Sequence, residues 1–339
     1  MVVGSSTDSP SVRLLRRSDL AALTELRRRF HVAGAAARAP APLADDMRAR
    51  IATTTSAFWE NDAVVVYVAQ ARTGASDEGG RGPLVGYALG RCAVWPPIWR
   101  TQRVGEIVET YVDPVDRAPE FLEALISAMT AELSRRDVEV LRARVASCDR
   151  GTRTRFEAIG FTPLLRTFVR SVELPGPGGD SIQLRPARAA DIPSLVLLSL
   201  AMLEENGRHE PRLTPHADAP AGLAERHAKE IADPSCAVIV AEEKPGLLIG
   251  MASGQLGRGD ALRRSIRVAV TTGCFVVPPR RRRGIARRLA DRVAQALVDL
   301  GAYELRLHVV AKNAASLAFW SSLGYEPVED LLDRPTADG

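Results

Sequence analysis

The stretch VVPPRRRRGIARRL, Val276 to Leu289, holds six arginines within nine positions and a single glycine, Gly284. Alone, the arginines read as a basic tag for nucleic acid. The flanking residues argue otherwise. Upstream, SIRVAV alternates apolar side chains at Ile266, Val268 and Val270, the period of a strand. Pro278 and Pro279 lack the N–H groups that would continue it. Downstream, Ile285, Leu289, Val293, Leu297 and Leu300 fall on one side of a helix. The run is therefore a strand–loop–helix junction. A helix start exposes unpaired N–H groups and the positive end of the dipole, which suits an anion such as a pyrophosphate. Gly284 and Ala286 let the backbone approach it closely.

The chain repeats itself. VRLLRRSDLAAL from Val12 matches LRPARAADIPSL from Leu184 at a spacing of 172, pairing Arg13 with Arg185 and Asp19 with Asp191. VVVYVAQ (64–70) matches AVIVAEE (237–243), but LVGYA (84–88) matches LIGMA (248–252) at a spacing of 164. The difference falls in a turn, the polar RTGASDEGGRGP in the first copy and KPG in the second, where insertions belong. Gly160-Phe161 and Gly324-Tyr325 keep the spacing of 164. Pro and Gly crowd Glu173 to Ser181, which reads as a linker. The expected organisation is one unit over 12–174, a connection over 175–181 and a second unit over 182–333. Each unit reads as strands and helices of an α/β (α+β) domain, a twisted mixed sheet flanked by helices.

Composition sets bounds. The chain has 339 residues, 46% hydrophobic and 25% charged, with a net charge of +4, as in a soluble two-domain protein. No apolar run approaches the roughly 18 residues of a membrane span. Met1 to Pro10 lack the basic start and apolar core of a secretion signal, so a cytoplasmic protein is expected. Cys92, Cys148, Cys236 and Cys274 lie far apart, which argues against zinc and for reduced thiols; no metal is expected. His209, His216 and His227 have no ligand spacing and are expected at the surface, whereas His308 is expected to be structural. Trp95 and Trp99 are expected in core or interdomain packing.

VVPPRRRRGIARRL resembles the acyl-CoA loop of the GCN5-related N-acetyltransferase (GNAT) superfamily, R/Q-x-x-G-x-G/A after a V-x-P strand end. Arg281, Gly284 and Ala286 fill the defined positions. LHVVAKNAASLAFWSSLGYEPV (307–328) resembles the family's later strand, its N-x-x-A/S-x-x-F-Y helix and the Gly-Phe entering the last strand. The resemblance covers the second unit nearly end to end, and the first by repeat. It implies two tandem GNAT-like domains and acetyl-CoA as cosubstrate. The strand Cys274, Phe275, Val276 and Val277 would pair with the pantetheine. Arg281, Arg282, Arg283, Gly284, Ile285, Ala286 and Arg287 would hold the pyrophosphate. Asn313, Ser316, Phe319 and Trp320 would lie by the cofactor, Asn313 also capping its helix.

The implied reaction is direct attack of a primary amine on the thioester in a ternary complex. Trp320 replaces the family's tyrosine, and an indole N–H is no acid at neutral pH. SIRVAVTTGC carries no acid where many relatives place a glutamate base. Glu205, His209 and Tyr325 are the catalytic candidates, with Glu204 and Glu210 in the same segment as Glu205. In the first unit Glu120 stands at the position of Gly284 and Leu122 at that of Ala286, which predicts a copy that does not bind CoA. The expected acceptor is a small-molecule amine, with a protein N-terminus or lysine as alternatives and nucleic acid and membrane set aside. A pseudo-dimeric monomer or a homodimer is expected. A non-catalytic acyl-CoA sensor is the alternative reading.

Overall fold

The computed structural model describes residues 11–38, 43–71, 82–95, 98–99, 103–113, 118–171, 182–258 and 267–336. The connection at 175–181, most of the polar loop after Ala71, and Pro114, Arg117 and Ile266 lie outside them. The first half runs β1 (Ser11–Leu14), α1 (Leu20–Arg38), α2 (Met47–Trp59), β2 (Val64–Gln70), β3 (Leu84–Val94), β4 (Arg103–Val112), α3 (Ala118–Ser134), β5 (Val140–Ala146), α4 (Arg150–Ala158) and β6 (Thr162–Ser171). The second repeats the order with β7 (Gln183–Pro186), α5 (Ile192–His209), α6 (Ala219–Ala232), β8 (Cys236–Lys244), β9 (Leu247–Arg258), β10 (Arg267–Val276), α7 (Ile285–Asp299), β11 (Glu304–Val310), α8 (Ala314–Ser322) and β12 (Glu326–Pro335).

The repeat extends to contacts. Arg13 donates to Asp19 at 2.7 and 3.0 Å, and Arg185 donates to Asp191 at the same distances. Each carboxylate also accepts the backbone N–H three residues earlier, from Arg16 and Arg188, which fixes the entry into α1 and α5. Gly86 and Gly250 are equivalent. A Cβ on Gly250 would stand 2.9 Å from the Phe275 carbonyl and 3.1 Å from Leu289, and one on Gly86 would stand 2.8 Å from the Tyr111 carbonyl and 3.2 Å from Leu125. In each half the missing side chain brings the third helix of that half down onto its sheet.

All strands join one sheet in the order β1-β2-β3-β4-β5-β12-β6-β11-β10-β9-β8-β7. The last strands are exchanged. β12 pairs with β5 of the first half, and β6 pairs with β11 of the second, both antiparallel. β6 and β12 pair with each other in the middle, where Arg166 faces Asp330. These two residues are equivalent in the repeat, so they sit on the pseudo-twofold axis. Arg166 donates to Asp330 at 2.7 Å, and Arg153 donates to the same carboxylate at 3.1 Å. Two identical copies would have placed like charges together at this point. The divergence to Arg and Asp favours pairing of unlike halves.

Alternation along the strands gives the sheet two apolar faces. α7 and α8 cover Ala269, Leu305, Leu307 and Val309, while α5 covers Val238, Val240, Met251 and Phe275. The expectation of a surface His227 is overturned. It is fully buried between α6 and α5 because Ser199 Oγ lies 2.8 Å from Nε2 and Glu230 lies 3.0 Å from Nδ1, satisfying both ring nitrogens. Trp95 and Trp99 pack on Leu164, Leu213, Val310 and Leu331, across the two halves. Ile98 enters the cluster of Leu203, Ala219 and Leu223, and its carbonyl accepts the His216 N–H at 2.9 Å. No helix among the described residues is long and apolar enough to cross a membrane.

Candidate functional site

The site begins where two parallel strands part. β10 and β11 are paired from Val268–Glu304 to Thr271–Leu307. Beyond that point β10 continues to Val276 and β11 to Val310 without pairing each other. A bulge between Thr271 and Gly273 bends β10 away, as an extra residue in one strand does. Thr272 Oγ1 and Ser253 Oγ, 2.8 Å apart, hold the bulge. The result is a wedge-shaped opening whose edges carry backbone N–H and C=O groups that need partners. β4 and β5 part in the same way after Ile107–Ala143.

The loop from β10 to α7 closes the wide end. Pro278–Arg280 forms one 3₁₀ turn, and Gly284 is the residue before α7, with φ +75°. That left-handed conformation suits glycine. A Cβ here would meet nothing within 4 Å, so open space lies directly over the start of the helix. Arg282 is also left-handed, at φ +61°, a strained conformation for an arginine. Ile285 is buried and anchors α7 in the core. Its first-turn N–H groups and the positive helix end thus face an open, basic turn, a cradle that fits a pyrophosphate.

The first half departs at this point. α3 starts at Ala118, three positions earlier in the repeat than α7, so Glu120 lies in the first helical turn. The place of the glycine turn is taken by helix. A carboxylate already complements the dipole there and would repel a phosphate.

The arginines divide into two groups. Arg280 pairs with Glu243 of β8 at 2.6 and 2.9 Å. Arg281 donates its Nε to the Val276 carbonyl at 2.9 Å and both terminal nitrogens to Glu205 of α5 at 3.0 and 2.5 Å. Its guanidinium lies 5.2 Å over the Phe275 ring. Arg282 and Arg283 form no ion pair with a described residue. Arg287 reaches the Ser322 carbonyl and hydroxyl, both at 3.4 Å.

Cys274 Sγ points to α7, 3.9 Å from the Ala286 carbonyl, and burial pushes its thiol up to about 12. It is a packed thiol, not a nucleophile. Phe275 packs under α5 and Val276 under α7; the Val277 N–H donates to Ile249 at 3.0 Å. Asn313 caps α8, its Oδ1 accepting the Ser316 N–H at 3.0 Å. Asp149, its equivalent, caps α4 by the same bond from Thr152. The half without the glycine turn keeps this cap, so capping accounts for the polar residue in both halves. Phe319 and Trp320 stand edge to face at 5.0 Å, and Trp320 meets Tyr325 at 5.3 Å.

Among the catalytic candidates, Glu205 is committed to Arg281, whose hydrogen bonds hold its carboxyl below the usual range. Glu210 is buried and held at about 2, first by Arg212 and further by Lys312. His209 is half-buried at the end of α5. Tyr325 is buried, with Arg170 over its ring at 4.7 Å. Burial raises its hydroxyl above the ordinary value. The Arg281–Glu205 and Arg280–Glu243 pairs join residues remote along the chain and leave no local mark in its sequence.

Residues 201–325 match the model of the acetyltransferase (GNAT) family. The match lies within the second half, and the chain as a whole has the tandem GNAT fold. It is similar over 97% of its length, at 16% identity and a TM-score of 0.59, to 96% of a GCN5-related N-acetyltransferase from Sphaerobacter thermophilus. A tandem GNAT protein from the clavulanic acid biosynthesis pathway matches over 97% of this chain and 99% of its own, at 14% identity and a TM-score of 0.52. The glucosamine N-acetyltransferase region of a fungal multi-domain GH3 β-N-acetylglucosaminidase covers 96% of this chain at 15% identity and a TM-score of 0.54, over 38% of that longer chain. No curated protein matches in sequence.

Proposed function

We propose that the second half, 182–333, transfers an acetyl or other short acyl group from acyl-CoA to a primary amine. The first half, 12–174, is a fold-retaining copy that does not bind CoA. The observation that carries this reading is the left-handed Gly284 with open space above it, at the mouth of a wedge between parallel strands. The first half keeps the wedge and has helix where the glycine turn would be.

Bound acyl-CoA would supply an activated thioester. The amides at Gly284, Ile285 and Ala286 would face its phosphates, with Arg282 and Arg283 adding positive charge. The parted edge of β10, Cys274 to Val276, would pair its amide groups, with Val277 already bonded to Ile249 on the other side. Holding the amine beside the thioester in this opening accounts for much of the acceleration.

The test is titration calorimetry of acetyl-CoA into the full chain, followed by thiol release with a panel of primary amines. No binding at millimolar ligand sinks the reading. A non-catalytic acyl-CoA sensor is favoured by two features, Trp320 in place of a hydroxyl and the lack of any acid on β10. It predicts binding without turnover across the panel.

A further inference from the structure

Arg281 is the one arginine of the loop that reaches α5. Both terminal nitrogens engage Glu205, and its Nε is fixed on Val276 at the rim of the wedge. The pair is partly exposed, with 38% of the Arg281 and 27% of the Glu205 side chain accessible, so it can open to a competing anion. Glu205 is also near the place where chemistry would occur. Met202, three residues earlier on the same helix, comes within 3.4 Å of the position a Cβ on Gly273 would take, at the bulge. Residues three apart on a helix share a face, so Glu205 follows Met202 along the wedge toward the loop.

Resting on the reading of the second half as an acyl-CoA transferase, we propose that Arg281 is a latch that trades partners. It holds Glu205 when the site is empty, gives it up for the phosphates of acyl-CoA, and so releases Glu205 as the base for the acceptor. An arginine suits this exchange because its planar fork fits carboxylate and phosphate alike. The released carboxylate takes one proton from the acceptor's ammonium. The neutral amine then forms the C–N bond to the thioester carbon, and the C–S bond breaks. The second proton on nitrogen goes to the departing thiolate, and Glu205 returns its proton to water. The base is thus withheld until the cosubstrate is in place.

Titration of acetyl-CoA into the full chain tests the latch. Glu205→Gln removes the competitor for Arg281 and tightens acetyl-CoA binding about two- to fivefold, the scale of one partly exposed ion pair. Arg281→Gln weakens it by about tenfold or more. With Arg281→Gln in place, Glu205→Gln has no further effect. Repeating the titration near pH 4.5 in buffers of different ionisation enthalpy counts protons. The wild type takes up protons as Glu205 loses Arg281, with Arg208 and His209 the other charged groups near it, and Glu205→Gln takes up fewer.

Any amine the wild type acetylates is acetylated about 10²-fold more slowly by Glu205→Gln, with no rise in the KM for acetyl-CoA, and Glu205→Asp restores part of the rate. Glu205→Ala serves in the binding arm if Glu205→Gln fails to fold. Equal or weaker acetyl-CoA binding by a folded Glu205 variant overturns the latch while the functional reading stands. Equal turnover of an amine by wild type and Glu205→Gln overturns the role as base. A wild type that binds no acetyl-CoA, or acetylates no amine in the panel, overturns the functional reading and the proposal with it.

Discussion

Replacing Gly284 separates two roles that one glycine combines. At φ +75° an alanine is strained, and about 1–2 kcal/mol is the usual cost of the left-handed region for a residue with a Cβ. No clash adds to this, because nothing lies within 4 Å of the new Cβ. Gly284→Ala should therefore lower the melting temperature by roughly 2–8 °C. The same Cβ projects into the space assigned to the pyrophosphate. Loss of one charge-assisted backbone bond there weakens acetyl-CoA binding about ten- to hundredfold. Gly284→Asn divides the effects, since asparagine tolerates the left-handed region. It should melt close to the wild type and bind as poorly as the alanine variant. Scanning calorimetry and titration with acetyl-CoA give the two numbers. If Gly284→Ala loses stability but keeps wild-type affinity, the space above the turn does not hold the phosphates.

Other changes probe the frame around the site. Asp330→Arg places like charges on the pseudo-twofold axis and leaves Arg153 with Glu157 alone; it should cost about 3–5 kcal/mol in denaturant unfolding, and reversing the pair with Arg166→Asp should recover a large part. Gly250→Ala sets a Cβ 2.9 Å from the Phe275 carbonyl, so β10 must move. About 1–3 kcal/mol of stability should go, together with acetyl-CoA affinity. Glu210 sits near 2 against an ordinary 4.5, and a depressed carboxylate stabilises the fold fully above its unfolded value. That contribution declines as pH falls from about 4.5 toward 2, so Glu210→Gln should flatten the acid limb of the stability profile.

The loop was legible because its signals are local. Prolines end a strand, a glycine turns the chain and an apolar stripe starts a helix, all within Val276 to Leu289. The duplication was legible for the same reason, since matched residues keep a spacing of 172 ahead of the polar loop and 164 beyond it. The exchange of β6 and β12 was not. Either strand presents the same alternation whichever half it joins, and the choice is made by pairing across the whole chain. Glu205 and Arg281 each stand in a segment the sequence marks, but their union depends on how α5 lies across β10. The burial of His227 was not legible, because its two partners come from one helical turn on and from a different helix.

The most direct measurement of the central claim is the stoichiometry of acetyl-CoA binding to the intact chain by titration calorimetry. The account predicts one site per chain, lost in Gly284→Glu and unaffected by Glu120→Gln in the first half. Two sites per chain, or one site that survives Gly284→Glu, would contradict it.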